Sequence, residues 1–456
     1  MTLDRLLPLL DAEPALNAVL GRRDAVFAVP EPARALALAS LVVRSGRRPF
    51  LVAVPTSGEA ERLTHDLGAF LGAGEVELFG AWETLPFERV SPAVATMGRR
   101  SRVLWRLQES SRAPAVVVAP IRALVQRLGP ATADPIIVRV GEATDRTALV
   151  DRLVHSGYRR EVQVEHRGEF AVRGSIVDVY PSTADGPVRI DLWGDEVDRL
   201  SEFAVTDQRS TDAVPSVEIF PCRELLLTDE VRDRAAALVG TQPWGREQWE
   251  RLAEGQTFDG MESWLPWLVT DDVTAPALLT DLFDDAAQIV LIDPARLRSR
   301  AADIAAEEAD LASALARTWG ADDRRLPTLH LGFERMLART SAPMWTALDV
   351  PDSPSTPVVG ATGWDPVVGD GSTLVAQLSS MLAAGSTVVV AADGAGSATR
   401  LGASLAERGL HLDVVSIDST SLAAPGGRIV VAPLERGARV AGCGLALLAE
   451  SDITGR

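Results

Sequence analysis

The sequence contains no lysine, and all 45 of its basic side chains are arginine. A phosphate-binding P-loop uses a lysine to reach the β- and γ-phosphates of a nucleotide, so this chain cannot complete one. A Schiff-base lysine, a serine–lysine hydrolase and the lysine of a protein kinase are excluded for the same reason.

Positive charge is also scarce, because 63 acidic side chains leave a formal net charge of −18. A protein that wraps nucleic acid needs a basic face to displace counterions, so this balance argues against that function. Only two cysteines, Cys222 and Cys443, are present, and they lie far apart without metal-ligand spacing. They predict reduced thiols in a cytoplasmic protein rather than a disulfide.

Long hydrophobic runs are missing as well. The N-terminal segment LDRLLPLLDAEPALNAVL is interrupted by Asp4, Asp11 and Glu13, which predicts an amphipathic surface helix rather than a signal peptide. No later segment offers the ~18 uninterrupted apolar residues that a bilayer requires, so we expect no membrane partner. Hydrophobic residues make up 46% of the 456, which suffices for the cores of roughly three or four domains.

Apolar strands alternate with helices from residue 25 onward. The pattern predicts strands at 25–29, 49–55 and 115–120, with helices between them. Such a rhythm is typical of a parallel sheet covered on both faces. It returns in the final third, where the helix 373–384 and the strand 387–391 begin a second, small α/β domain. The chain stops soon after a last apolar strand, as we expect for the front of a longer protein.

Between residues 135 and 213 the rhythm changes to strand after strand with glycine-containing turns. One strand shows the period of a sheet with one buried face, because three apolar residues alternate with Arg189, Asp191 and Trp193. The step Gly194–Asp195 predicts a hairpin turn. We therefore predict an α/β chain with a small antiparallel α+β module inserted into it.

No segment carries a convincing catalytic or metal-binding motif. The place of a P-loop, residues 30–37, reads PEPARALA, which lacks the glycines as well as the lysine, so we interpret the first domain as a degenerate P-loop fold. Asp293 ends an apolar strand before Pro294, which favours a helix N-cap over a Walker-B acid. The sequence DGAG at 393–396 lacks the third glycine of a dinucleotide fingerprint and suits a tight turn. The five histidines show no metal spacing, and no GxSxG elbow is present. We predict no catalytic, cofactor-binding or metal-binding residue.

Arginine is concentrated in the small module. The segment from Arg152 to Arg173 contains five arginines and only three glutamates, although the net charge of the whole chain is −18. An arginine and aromatic cluster on an exposed sheet is the composition of a protein-binding hot spot. A solvated strand face with local ion pairs explains the same residues equally well on composition alone.

Two stretches of the module resemble a known family. They are GYRREVQVEHRGEFAVRGSIVDVYP (157–181) and GPVRIDLWGDEVDRLSEFAVTDQRST (186–211). Both are similar to the second domain of the bacterial transcription-repair coupling factor Mfd, which is homologous to the UvrA-binding domain of UvrB. The segment AWETLPFERVSPAVATMGRRSRVLWRL (81–107) is similar to the first domain of the same family, and LLAESDITGR to the end of its third.

The resemblance implies a domain organisation for nearly the whole chain. Residues 1–134 would form UvrB-like domain 1a, 135–213 the UvrA-binding module, 214–325 domain 1b, which completes domain 1, and 326–456 a small α/β domain 3. The RNA-polymerase-interacting domain, the DNA translocase motor with its ATP and Mg²⁺, and the C-terminal regulatory domain of the family would lie outside this chain. It would itself bind no cofactor.

Residue by residue, the resemblance implies that UvrA contacts Arg159, Arg160, Phe170, Arg173 and Asp191. An arginine fork can bind a partner's carboxylate through two hydrogen bonds, and Asp191 would offer the reciprocal charge. Phe170 would be the apolar anchor unless it faces the core of the module. Phe170 and Arg173 have opposite parity on one strand, so they point to opposite faces unless a bulge intervenes.

Two departures from UvrB qualify the resemblance. The chain runs from SPAVATMG straight into a helix, where UvrB has a Tyr-rich hairpin that clamps DNA, so we expect no damage verification by strand insertion. In EFAVRG, Ala171 stands where the UvrB pattern has an arginine, which implies one contact fewer with UvrA.

Our leading hypothesis is a non-catalytic platform that recruits UvrA of nucleotide excision repair to an RNA polymerase stalled at DNA damage. The alternative is an ATP-dependent DNA translocase or helicase subunit acting in its own right. A third possibility is a regulatory clamp, in which the C-terminal domain of a longer protein covers the same surface. The clamp and the platform would use the same arginines.

Overall fold

The computed structural model describes residues 2–269, 276–318, 326–365 and 372–454. The first part of the chain alternates strands and helices, as predicted. Its elements in chain order are α1 (Pro14–Val19), β1 (Asp24–Ala28), α2 (Arg34–Ser45), β2 (Phe50–Val54), α3 (Ser57–Leu71), β3 (Val76–Leu78), α4 (Val94–Leu107), β4 (Val116–Pro120) and α5 (Ile121–Leu124). The predicted amphipathic N-terminal helix is a 3-10 helix, Asp4–Ala12, followed by α1.

Local sequence explains the bounds of these helices, and α3 is a clear case. The Thr56 hydroxyl accepts a hydrogen bond from the Glu59 amide at 3.3 Å, which satisfies one of the unpaired amides of the first turn. Gly72 ends the helix with a φ of +96°, a conformation that suits glycine. A polar N-cap and a C-terminal glycine are both visible in the sequence.

A β module interrupts the first α/β unit. Its elements are β5 (Ile136–Arg139), α6 (Arg146–His155), β6 (Arg159–Arg160), β7 (Glu169–Arg173), β8 (Ile176–Val179), β9 (Val188–Trp193), β10 (Glu196–Phe203), β11 (Ser210–Ala213) and β12 (Ser216–Ile219). Six strands form one sheet in the order β11-β10-β9-β8-β7-β6, antiparallel except for the pair β6 and β7. The predicted turn at Gly194–Asp195 joins β9 to β10, and Gly194 has a φ of +64°.

The chain then returns to the first sheet. The next elements are α7 (Asp229–Thr241), α8 (Arg246–Ala253), α9 (Leu265–Leu268), β13 (Gln288–Ile292), α10 (Pro294–Thr318), α11 (Phe333–Leu337) and β14 (Met344–Leu348). The completed sheet is parallel with the order β1-β14-β13-β2-β4-β3. Asp293 precedes α10 and accepts from the Arg296 amide at 3.4 Å, as the N-cap interpretation predicts.

The last unit is a second α/β domain. Its elements are β15 (Ala361–Thr362), α12 (Ser372–Ala383), β16 (Thr387–Ala392), α13 (Ala395–Glu407), β17 (Asp413–Val414), β18 (Gly426–Val431), β19 (Arg439–Val440), β20 (Leu445–Ala449) and α14 (Glu450–Thr454). Its sheet has the order β15-β19-β20-β16-β18-β17, with the last four strands parallel. The predicted fold class, α/β with an inserted antiparallel module and a second α/β domain, is confirmed.

Two predicted domain boundaries do not coincide with the divisions between the sheets. The strand β12 pairs with β5, so the module continues to Ile219 rather than ending at 213. The strand β14 lies in the first sheet between β1 and β13, although its residues fall within the predicted range 326–456. Both strands pair with partners that are distant in the sequence, and local periodicity contains no information about such a partner.

Residues 30–37, which the sequence analysis interprets as a degenerate P-loop, form ion pairs with other parts of the chain. After β1 a short 3-10 turn, Glu31–Ala33, leads directly into α2. Glu31 forms an ion pair with Arg436 of the last domain, and Arg34 forms one with Asp349. The turn after β1 therefore contacts the last α/β domain through Glu31.

A buried polar cluster joins the β module to the first sheet. Both side chains of the ion pair Arg100–Glu224 are almost completely buried, and their nitrogens and oxygens lie 2.7 and 2.8 Å apart. The Trp82 indole donates a further hydrogen bond to Glu224 at 2.8 Å. A Cβ added to Gly98 of α4 would lie 2.3 Å from the Ser182 hydroxyl oxygen and 3.3 Å from its backbone carbonyl carbon. The backbone of α4 therefore packs closely against Ser182 of the module. These contacts fix the orientation of the module.

Candidate protein-interaction site

The sheet of the β module has one apolar face and one charged face. Because successive residues of a strand point to opposite sides, Val188, Ile190 and Leu192 of β9 are buried beneath α6, as the alternation predicts. The opposite side, which we call the outer face, is formed by Ala171, Arg173, Ile176, Asp178, Arg189, Asp191, Trp193 and Arg199.

A buried carboxylate organises the outer face. The Asp178 side chain is only 1% exposed, and the Arg189 guanidinium donates to both of its oxygens, at 2.7 and 3.0 Å. Arg173 donates a third hydrogen bond to Asp178 at 2.9 Å and a weaker one to Gln208 at 3.3 Å. The Asp178 carboxylate raises the pKa of Arg189 through this hydrogen bond. Two arginines are thereby held by one acid in fixed orientations.

Arg173 and Asp191 lie in one row across the sheet. The register pairs Arg173 with Ile176, Ile176 with Asp191, and Asp191 with Arg199. The Arg173 side chain remains 47% exposed although it is bonded to Asp178. The structure therefore brings two of the sequence-predicted residues together and presents charges of both signs to the solvent.

Arg159 and Arg160 lie elsewhere in the module. Arg159 pairs with Glu169 of β7, and their side chains form an ion pair at 3.7 Å. Arg173 lies four residues further along β7, roughly 13 Å away at the rise of a strand. Arg160 pairs with Phe170 and points to the opposite side of the sheet from Arg159. Neither of these exposed arginines therefore lies in the row of Arg173 and Asp191.

Phe170 is not an exposed anchor. Its side chain is fully buried in the core of the module, where it pairs across the sheet with Val179. Of the two orientations that the sequence left open, the structure shows the core orientation, because the parity of β7 places Phe170 opposite Arg173. Ala171 is also buried, packed against Val164 and Phe203, so this position presents no side chain to a partner.

Sequence reasoning missed the residues that support the face. Asp178 and Arg189 carry the ion pair that fixes Arg173, and Gln208 adds a hydrogen bond from a loop. Arg189 and Trp193 share parity with Asp191, which is a sequence signal for the same face. Nothing local indicates Asp178 or Gln208, because their partners lie on other strands.

The described residues contain neither a metal-binding group nor a membrane-spanning helix. Within residues 2–269, 276–318, 326–365 and 372–454, His, Cys, Asp and Glu side chains form no group of three or more that could hold a metal ion. Over the same ranges, no helix has the length and apolar character needed to cross a bilayer. Cys222 and Cys443 are free thiols, and burial raises the pKa of Cys222 to about 12.

Residues 136–225, which form the β module, match the family described as the UvrB interaction domain. Over 95% of its length the chain is 34% identical to the transcription-repair-coupling factor of Mycobacterium bovis. The corresponding factor of Myxococcus xanthus is 34% identical over 64% of the chain, and that of Escherichia coli 29% over 50%. These matches confirm the predicted resemblance to the N-terminal region of the transcription-repair coupling factors.

The chain is considerably shorter than these relatives. Its alignment covers 37% of the Mycobacterium bovis protein, 25% of that of Myxococcus xanthus and 21% of that of Escherichia coli. The matched family begins within one residue of the predicted start of the module and extends past its predicted end, to residue 225. This end agrees with the pairing of β12 in the structure.

Proposed function

We propose that the chain is a recruitment platform whose outer face binds UvrA. The observation that supports this most directly is the exposed row of Arg173 and Asp191 within the segment that matches the UvrB interaction domain. In the proposed activity, UvrA of nucleotide excision repair is brought to an RNA polymerase stalled at DNA damage. The compartment of this activity is the cytoplasm.

The geometry of the face suits a charged protein partner. Arg173 uses one nitrogen for Asp178 and Gln208, and its half-exposed guanidinium offers further donors to a carboxylate. Since Asp178 already holds the side chain in place, binding costs little further conformational entropy. Asp191 would fix the register of the partner through the opposite charge.

Substitution of Arg173 tests the proposal. We expect Arg173→Ala to weaken the affinity of the chain for purified UvrA by roughly 30-fold or more, the scale of a desolvated interface arginine. The matched control is Arg152→Ala, an exposed arginine on α6, which covers the other side of the sheet. Absence of UvrA binding at low salt, or equal effects of both substitutions, would refute the proposal.

We further propose that the chain does not itself hydrolyse ATP. The chain lacks lysine, and the turn Glu31–Ala33 occupies the place of a phosphate loop, with Glu31 paired to Arg436. A titration with labelled ATP should therefore give no saturable binding. Tight binding would favour the alternative, a nucleotide-dependent DNA translocase or helicase subunit.

In a longer protein of this family, RNA polymerase and duplex DNA would bind through other regions. A C-terminal regulatory domain could cover the outer face until the polymerase is bound, which is the clamp hypothesis. Adding that domain in trans distinguishes the two roles, because a clamp predicts a fall in UvrA binding.

A further inference from the structure

The outer face carries an exposed tryptophan. The Trp193 side chain lies at the end of β9 and is 82% exposed. Among the large hydrophobic residues that are exposed in the described part of the chain, it is the only aromatic one. An aromatic side chain typically buries roughly 150–250 Å² when it leaves water. Because Trp193 is still exposed, most of its apolar surface remains available for burial against a partner.

Trp193 lies at the same end of the outer face as the charged row. It follows Asp191 by two residues on β9 and therefore points to the same side. The Leu192 amide donates to the Ser175 carbonyl at 3.1 Å, which places Trp193 beside the turn that follows Arg173. The exposed Trp193 and the half-exposed Arg173 therefore lie toward the same end of the outer face.

The backbone around Trp193 is held in place. After Gly194, the Asp195 carbonyl accepts a hydrogen bond from the Thr144 amide at 2.7 Å. Two residues further along β10, the Val197 carbonyl accepts a hydrogen bond from the Gly141 amide at 2.8 Å. The loop before α6 therefore anchors the hairpin tip, so a partner that binds the indole need not order a mobile segment.

We infer that Trp193 is the apolar anchor of the UvrA-docking face, the role that the family resemblance would give to an exposed Phe170. The inference rests on the proposed function. It requires that the surface of UvrA has an apolar pocket for the indole, bordered by carboxylates that pair with Arg173 and Arg199. Tryptophan and arginine are among the residue types enriched in interface hot spots, and both types lie on the outer face here.

The test compares four variants for affinity to purified UvrA. We expect Trp193→Ala to weaken binding roughly 30-fold or more, while Trp193→Phe stays within about fivefold of the unsubstituted chain. The matched control is Val154→Ala, an exposed apolar residue on α6, and it should leave the affinity within about twofold. Raising the salt concentration should reduce the effect of Arg173→Ala but not that of Trp193→Ala, because apolar burial is not screened.

The outcomes separate this inference from the proposed function. If Arg173→Ala weakens UvrA binding while Trp193→Ala stays within about threefold, the anchor is refuted and the platform stands. If the unsubstituted chain does not bind UvrA, both are refuted. Circular dichroism and hydrogen exchange of β9 and β10 check that Trp193→Ala retains the fold. A variant that unfolds is replaced by Trp193→Gln, for which the same loss of affinity is expected.

Discussion

The buried carboxylate of Asp178 should stabilise the β module and position its arginines. In Asp178→Asn the side chain keeps its shape but loses its charge, and only one of its two atoms can still accept a hydrogen bond. Arg189, whose side chain is 16% exposed, would lose the bidentate pair with distances of 2.7 and 3.0 Å. Arg173 would lose its bond to Asp178, although solvent already screens this half-exposed partner.

The expected loss follows from these contacts. A hydrogen bond to a charged group contributes about 1.5–3 kcal/mol, and the contribution of Arg173 is below about 1 kcal/mol because of its exposure. We therefore expect Asp178→Asn to lower the local free energy of unfolding by about 2–3 kcal/mol. That difference corresponds to roughly 30- to 150-fold faster amide exchange in a cooperative opening of β7 to β9.

Hydrogen exchange followed by mass spectrometry measures this local stability without assuming that the whole multidomain chain unfolds in one step. The matched control is Asp185→Asn in the same module, since Asp185 is 99% exposed and forms an ion pair of 3.0 Å with Arg167. The control should change exchange by less than about threefold. Equal effects of the two substitutions, or a change below about 0.5 kcal/mol in Asp178→Asn, would show that the buried network does not stabilise the sheet.

Three further predictions concern the contacts between domains. Glu224→Gln leaves the buried Arg100 without a charged partner and should cost about 3–5 kcal/mol in urea unfolding; a loss below 1 kcal/mol would contradict this. Burial raises the pKa of Asp66 to about 6, against 3.8, so the native state binds an additional proton between these pH values and its stability falls as pH rises through them. Asp66→Asn should remove about 2–3 kcal/mol of this pH-dependent loss of stability. The thermal midpoint of the variant should therefore exceed that of the unsubstituted chain by more at pH 7 than at pH 4. An equal difference between the two midpoints at both pH values would refute this prediction. Gly98→Ala would place a Cβ 2.3 Å from a side-chain oxygen of the β module and should cost about 1–3 kcal/mol, whereas Gly68→Ala in α3, with its nearest contact at 3.8 Å, should not destabilise the chain.

Much of the fold could be predicted because its signals are local. A helix predicted between the strands 49–55 and 115–120 is α3, and its N-cap residue and terminal glycine directly precede and follow it in the sequence. The predicted strand 49–55 contains β2, a run of five buried residues. The alternation in β9 predicted its buried side, because a strand has a period of two and needs no information from other strands.

Pairing between distant strands could not be predicted in this way. β14 lies between β1 and β13, and β12 closes against β5, so two domain boundaries shift. The polarity of neighbouring residues determines which side of a strand is buried. The partner of that strand is determined by the packing of the complete chain, which periodicity does not encode.

The candidate site shows the same division. The sequence by itself excluded lysine chemistry, predicted the α/β fold with its inserted module, and predicted that Phe170 and Arg173 point to opposite faces unless a bulge intervenes. Only the tertiary structure decided that Phe170 is the buried one and that Arg159 lies apart from Arg173. It also showed that Asp178 holds Arg173 in place while Trp193 remains in the solvent. The physical reason is that parity along a strand is a local property, whereas burial and ion pairing depend on residues that other strands bring into contact.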